Sequence, residues 1–173
     1  MNVKKITSEQ DLHTAFEIRK AVFVEEQGCP ISDEFDEFDT LHGDCQHILA
    51  YHQNVPVGTA RVRIVDHAGK LERICILKSY RKFGLGKVIV VALERIVKEQ
   101  GISAFKLHGQ TQAAGFYEKL GYQTASEEFM LDGIPHVLMT KQDDSALYIV
   151  HKFVTYEHEQ FIGILITDYE EKE

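Results

Sequence analysis

The chain has 173 residues, 44% hydrophobic and 27% charged, with 19 Lys plus Arg against 27 Asp plus Glu and a formal charge of −8. That balance argues against a nucleic-acid binder held mainly by phosphate contacts, which needs a basic face. It fits one ordinary globular domain, since a chain of this size buries roughly 70% of its unfolded surface.

Cys29, Cys45 and Cys75 form an odd set with no CxxC spacing, so neither a disulfide framework nor a zinc ribbon is indicated and a reducing, cytoplasmic setting is expected. The longest apolar runs, VIVVAL at 88–93 and FIGILI at 161–166, are far too short to span a bilayer, so no membrane partner is expected.

In chain order, Val3 to Ile6 reads as a short strand. Asp11 to Gln27 carries Leu12, Ala15, Phe16, Arg19, Val22 and Phe23 at helical spacing, with Ser8 as N-cap and Gly28 and Pro30 as terminators. An acidic loop follows. His47 to His52, Val57 to Val65 and Lys70 to Leu77 then read as an antiparallel meander, turning at Gln53-Asn54 and over Asp66 to Gly69. Lys78 to Gly86 is a polar, glycine-bearing turn, and Lys87 to Gln100 is a helix closed by Gly101. Ala104 to His108 is a strand and Ala113 to Leu120 a helix closed by Gly121. Tyr122 to Leu131 with Pro135 to Thr140 forms a hairpin around Asp132-Gly133.

These elements predict an α/β (α+β) architecture: a mixed, mostly antiparallel sheet with helices on both faces, over residues 1–141. Residues 142–173 form a separate extension in which Leu147 to Tyr156 and Phe161 to Tyr169 suggest a hairpin. An isolated hairpin is marginal in water, so it needs either the main sheet or another subunit, as in a homodimer.

Charge is unevenly spread. Residues 21–60 hold eight acids and no Lys or Arg, residues 61–140 are net basic, and the tail is acidic again. The acidic run is either a solvated loop or a vestibule for a cationic amine.

The strongest local signal is LERICILKSYRKFGLGK at 71–87, a strand entering a glycine turn and then a helix N-terminus. Such a turn aims backbone N–H groups and a helix dipole at one point, which suits phosphate, and Lys78, Arg81, Lys82 and Lys87 add positive charge. The alternative is a merely tight turn. A P-loop ending at Gly86-Lys87 would require glycine at Arg81 and Ser or Thr at Val88, and a dinucleotide turn from Gly84 would require glycine at Ile89.

Arg81-x-x-Gly84-x-Gly86 resembles the acyl-CoA motif of the GNAT N-acetyltransferase superfamily. Phe116-Tyr-Glu-Lys-Leu-Gly-Tyr122 resembles that family's later FYEKLGF segment. VFVEEQ at 22–27, QTQAAGFYEKLGY at 110–122 and LDGIPHVLM at 131–139 are similar to its ElaA-like branch. The resemblance implies an acetyl-CoA-dependent transfer of acetyl to a small-molecule or peptide amine, in a ternary complex without metal. It implies a strand around Ile74 and Ile76 that splays from the strand ending at His108. The pyrophosphate would rest on the turn of Arg81, Lys82, Phe83, Gly84, Leu85, Gly86 and Lys87, and the thioester carbonyl would lie near the N–H of Cys75 or Ile76.

The same resemblance makes Tyr117 the candidate general acid, against a core aromatic beside Phe116. Glu72 is the first candidate base, on the expectation that it alternates onto the same face as Ile74 and Ile76; a structural ion pair with Arg61 or Arg73 is the rival reading. Glu26 is second, against a surface carboxylate. His108 is either a relay or a structural histidine, and His136 is pocket lining. Cys75 is expected to be buried packing rather than a nucleophile. His42, Asp44, Cys45 and His47 match no usual zinc spacing. Two rivals to the enzyme reading stand on the same fold, a non-catalytic acyl-CoA sensor and an assembly module built by the tail.

Overall fold

The computed structural model describes residues 1–143; the hairpin anticipated over Leu147 to Tyr169 lies outside them. Ser8 caps the first helix by accepting the Asp11 N–H at 3.2 Å, and α1 (Glu9–Arg19) buries Leu12, Ala15 and Ile18. Beyond Arg19 the helix widens into a π segment (Lys20–Glu26), with Gln27 N–H bonding Val22 O at 3.1 Å. The single helix expected to reach Gln27 is therefore two geometries. A π turn rotates the residues that follow it and often marks a functional position. A short helix, α2 (Ile31–Glu34), stands inside the acidic stretch where only a loop was expected.

The described strands are β1 (Asn2–Lys5), β2 (Gln46–His52), β3 (Val55–Val65), β4 (Ala68–Ile76), β5 (Ala104–Gln110), β6 (Gln123–Thr124), β7 (Phe129–Leu131) and β8 (Ile134–Gln142). Their order is β1-β2-β3-β4-β5-β8-β6, with β7 also on β8, and β4-β5 is the parallel pair in an otherwise antiparallel sheet. Positive φ at Gln53 and Asn54, and at Asp66 and His67, makes both hairpin turns two-residue primed turns. The second is tighter than the Asp66 to Gly69 turn expected. Gly69 belongs to β4, and a Cβ there would meet Val97 Cγ2 at 2.5 Å, so this glycine serves close helix packing rather than turning.

Helix α3 (Leu85–Lys98) starts two residues earlier than expected because Gly84, at φ 73, breaks the preceding 3₁₀ turn (Lys78–Phe83) and lets Leu85 enter the core. Its buried face, Leu85, Ile89, Leu93 and Val97, packs on one side of the sheet with α4 (Ala114–Glu118) nearby. Glu94 fastens α3 to β8 through Lys141 Nζ at 2.9 Å and to the start of β6 through the Tyr122 hydroxyl at 2.9 Å. On the other side, Leu12, Ala15 and Ile18 of α1 and Val22 of the π segment pack against Leu49 and Cys75. The expected Tyr122 to Leu131 strand is broken between β6 and β7, where Ser126 Oγ accepts the Leu138 N–H at 2.9 Å in place of a backbone partner.

Candidate active site

Strands β4 and β5 pair only from Gly69 with Phe105 to Leu71 with Leu107; beyond that, β5 continues on β8 and β4 on β3. The β5-facing edge of β4 from Glu72 onward thus pairs with no strand. The gap opens a cavity of about 720 Å³ that is lined from both faces of the sheet, within the usual size range of small-molecule sites.

A bulge shapes it. The β3-β4 register shifts between Thr59 opposite Cys75 and Arg61 opposite Glu72, and Arg73 takes up the extra residue at φ 54. An extra residue inverts side-chain parity. Ile74 and Ile76 therefore join the α3 side with Leu71, while Cys75 turns to the α1 side. Glu72 does not share a face with Ile74 and Ile76, as simple alternation suggested. Its carboxylate instead takes Arg61 Nε at 3.2 Å, Arg63 Nη2 at 3.1 Å and Lys70 Nζ at 2.8 Å. Burial pushes its pKa up, but the bonds from Arg63 and Lys70 and the charge of Arg61 outweigh this and hold it below the usual value. A carboxylate so stabilised is a weak proton acceptor.

The acidic run is divided: Glu25, Glu26, Asp33, Glu37 and Asp44 are exposed, as a solvated loop requires, while Glu34, Asp36 and Asp39 pair with arginines. Arg19 Nε meets Glu34 Oε1 at 2.6 Å, Arg61 meets Asp36 at 2.6 Å and Asp39 at 2.9 Å, and Arg19 also binds Asp39. Three of the eight acids are thus turned inward. Asp36 is held down at about 2, because the hydrogen bonds and charge of Arg61 exceed the upward push of burial.

At the other end of the cavity stand Arg81, Gly86, Phe116 and Tyr117. Gly86 lies so close to Phe116 that a Cβ would meet its ring at 3.0 Å. Tyr117 is 8% exposed, and burial pushes its phenol up to about 12, so it is protonated at neutral pH. Arg81 donates Nε to Ile76 O at 3.0 Å and is gripped by Glu26 through two bonds of 2.7 Å. Leu85 is fully buried, Lys82 lies 5.4 Å over the Phe83 ring, Phe83 stacks on His52 at 4.3 Å, and Lys87 is exposed. These four, with Gly84 and Glu26, stand outside the cavity lining, whereas Glu72, Ile74, Cys75, Ile76, Arg81, Gly86, His108, Tyr117 and His136 line it.

His108 and His136 flank Phe129, edge-on at 5.2 Å and stacked at 6.3 Å. His136 Nδ1 lies 2.8 Å from Ile134 O. A carbonyl only accepts, so Nδ1 donates to it and Nε2 takes no part in that bond. Partial shielding from water, and then the charge of Lys70, hold His108 below the usual imidazole value. Cys75 is pushed up to about 12 by burial, which leaves it a thiol rather than a nucleophilic thiolate. His47 gives Nε2 to a 3.0 Å contact with Phe38 O, and no group of three metal-ligating side chains occurs among the described residues. Among those residues, no helix is long and apolar enough to cross a membrane.

The ion pair of Glu72 with Arg61, the rival reading from the sequence, is present at 3.2 Å; sequence reading missed Arg63 and Lys70 beside it on the cavity floor, and the bridge from Gln110 Nε2 to Gln27 Oε1 at 3.0 Å. The alternation Arg61-Val62-Arg63 on a strand was the available signal for part of that floor.

Residues 12–142 match the family model described as acetyltransferase (GNAT) domain. Over 147 residues, 85% of this chain and the whole of the relative, the chain is 97% identical to a Bacillus subtilis (strain 168) protein provisionally named an acetyltransferase. The crystal structure of Escherichia coli ElaA superposes with a TM-score of 0.73 at 26% identity, covering 82% of this chain and 99% of that one. An aminoglycoside 6′-N-acetyltransferase complexed with coenzyme A shares the fold, with a TM-score of 0.67 at 18% identity over 82% of this chain and 97% of its own. The splayed parallel strands, the glycine turn at the α3 N-terminus and these matches agree: the chain belongs to the GNAT acetyltransferase family.

Proposed function

We propose that the protein is an acetyl-CoA-dependent N-acetyltransferase that acetylates a primary amine by direct attack in a ternary complex. The observation that carries this reading is the β5-facing edge of β4, left without a strand partner beside a protonated, cavity-lining Tyr117. A free strand edge suits the amide groups of a pantetheine arm, which would bond to it as a further strand does. The Arg81 to Lys87 turn, with Gly84 in the left-handed region at the start of a 14-residue helix, suits the pyrophosphate.

The amine nitrogen attacks the thioester carbonyl carbon, the C–N bond forms and the C–S bond breaks. The carbonyl oxygen gathers negative charge that the N–H of Cys75 or Ile76 stabilises. Tyr117 gives its proton to the departing thiolate, and the proton lost by the amine passes to His108, directly or through water. His108 takes the role considered for Glu72 because it is neutral at pH 7 and lines the same cavity, whereas Glu72 is bound by three cations.

The test is release of CoA thiol from acetyl-CoA across a panel of amines, with the acetylated amine identified by mass spectrometry. Amine-dependent thiol release supports the reading. Binding of acetyl-CoA without release from any amine would make the protein a sensor on this fold.

A further inference from the structure

On the α1 side of the sheet, the ion pairs around the cavity floor join into one network. Its cations are Arg19, Arg61, Arg63, Lys70 and Arg73, and its carboxylates are Glu34, Asp36, Asp39 and Glu72. Five cations face four anions, and the excess falls on the cavity side. Arg19 and Arg61 are saturated at 2.5–3.2 Å, whereas Arg61, Arg63 and Lys70 all share the single carboxylate of Glu72.

Arg73 is the least satisfied member. Its Nε is shielded from solvent yet has no hydrogen-bond partner; Glu34 Oε2 lies 3.6 Å away, Asp36 Oδ2 is 3.7 Å from Nη2, and the bond from Nη2 to Asp33 O is a long 3.4 Å. A buried guanidinium N–H left unpaired is costly. The same residue occupies the left-handed region at the bulge, where β4 leaves β5 and the cavity opens. A partly exposed, cavity-lining guanidinium whose ion pairs are 3.6 and 3.7 Å long keeps donor capacity for a ligand. Glu34 and Asp36, the lining carboxylates nearest to it, are already held at 2.6 Å by Arg19 and Arg61, Arg81 is occupied by Glu26, and Asp132 lies on the β7-β8 turn, so Arg73 has only long pairs of its own.

We infer that the acceptor amine carries a carboxylate, received by the Arg73 guanidinium in the field of Arg63 and Lys70, so that the substrate is an amino acid rather than a polyamine. This rests on the acetyl-transfer reading above. A planar carboxylate matches the guanidinium fork, and Asp132 supplies the one lining carboxylate not engaged by that network, suited to the ammonium end. A polycation would leave the Arg73 fork unpaired and set its second ammonium beside Arg63 and Lys70, where like charges repel.

The experiment compares L-amino acids, their carboxamides and their decarboxylated amines as acceptors at saturating acetyl-CoA. The best acceptor should be a free acid, with kcat/KM about tenfold or more above its amide, the scale of one charge-assisted pairing. Arg73→Asn, a residue tolerated at positive φ, should bring that ratio near unity through KM, and Arg73→Lys should restore part of it. Amides or polyamines outrunning the acids, or a ratio that neither variant changes, would overturn the inference. If no acceptor is turned over, calorimetry of N-acetyl amino acids against their amides on coenzyme A-loaded protein decides separately. A preference for the acid that Arg73→Asn abolishes upholds the carboxylate site while the transferase reading fails; no preference overturns the site as well.

Discussion

Arg81 and Glu26, 55 positions apart, meet through two parallel bonds of 2.7 Å at the edge of the cavity. Hydrogen bonding from Arg81, more than its charge, holds the Glu26 carboxyl below its usual pKa. This carboxylate neutralises a guanidinium beside the turn assigned to the pyrophosphate. Glu26→Gln should therefore tighten acetyl-CoA binding, by about threefold at low salt, with the gain shrinking as salt rises. Calorimetric titration at two ionic strengths checks this. Weaker binding would mean that the pair holds the turn in shape.

Tyr117 lies against Phe116 and Tyr122, and its burial keeps the phenol protonated well above neutral pH. Tyr117→Phe keeps the packing and removes the proton. We expect kcat to fall about 100-fold, within the usual range of general-acid contributions, with acetyl-CoA affinity unchanged. Equilibrium binding and steady-state kinetics on the same preparation separate the two effects.

Glu72 is the counter-charge for three cations, so its loss is a stability event. Glu72→Gln should cost about 3 kcal/mol at pH 7, since it strands partly buried charge, and lower Tm by on the order of 10 °C for a chain of this size. Asp36, Asp39 and Glu72 all titrate lower in the folded protein than unfolded. Their stabilisation is complete above the unfolded carboxyl range and is lost as pH falls from about 5 towards 2. The gap between wild type and Glu72→Gln should close over that window in thermal melts. A variant that melts normally but loses turnover would return Glu72 to the role of base.

His108 titrates below the usual 6.5 in the folded protein. The acid limb of kcat/KM should accordingly have its midpoint below that value, and His108→Gln should remove the limb while lowering the rate about 100-fold. If His136→Gln removes it instead, the proton goes to the ring whose Nε2 is left free by Ile134.

The sheet, the order of its main helices and the Arg81 to Gly86 turn were legible because each depends on local spacing: alternation in Val57 to Val65, Gly84 before an apolar helix, Asp132-Gly133 between two strands. The cavity floor was not. No residue type announces that Arg73 adopts φ 54, yet that single conformation moves Glu72 to the other face of the sheet from Ile74. Nor does a run of acids show where its counter-ions lie. Arg19 and Arg61 recruit Glu34, Asp36 and Asp39 only through tertiary contacts, which turn an apparent acidic vestibule into a floor with surplus positive charge. Gly69 misled for a related reason, since its partner Val97 lies on a helix 28 positions away.

The most direct test of direct transfer is a rapid-quench single turnover of acetyl-CoA with an accepted amine, following acetylated amine, free CoA thiol and intact protein mass together. The account predicts that thiol and acetylated amine appear in step while the protein mass never changes, and that Tyr117→Phe slows both equally. An acetylated protein preceding the product, or thiol release with no acetylated amine, would contradict it.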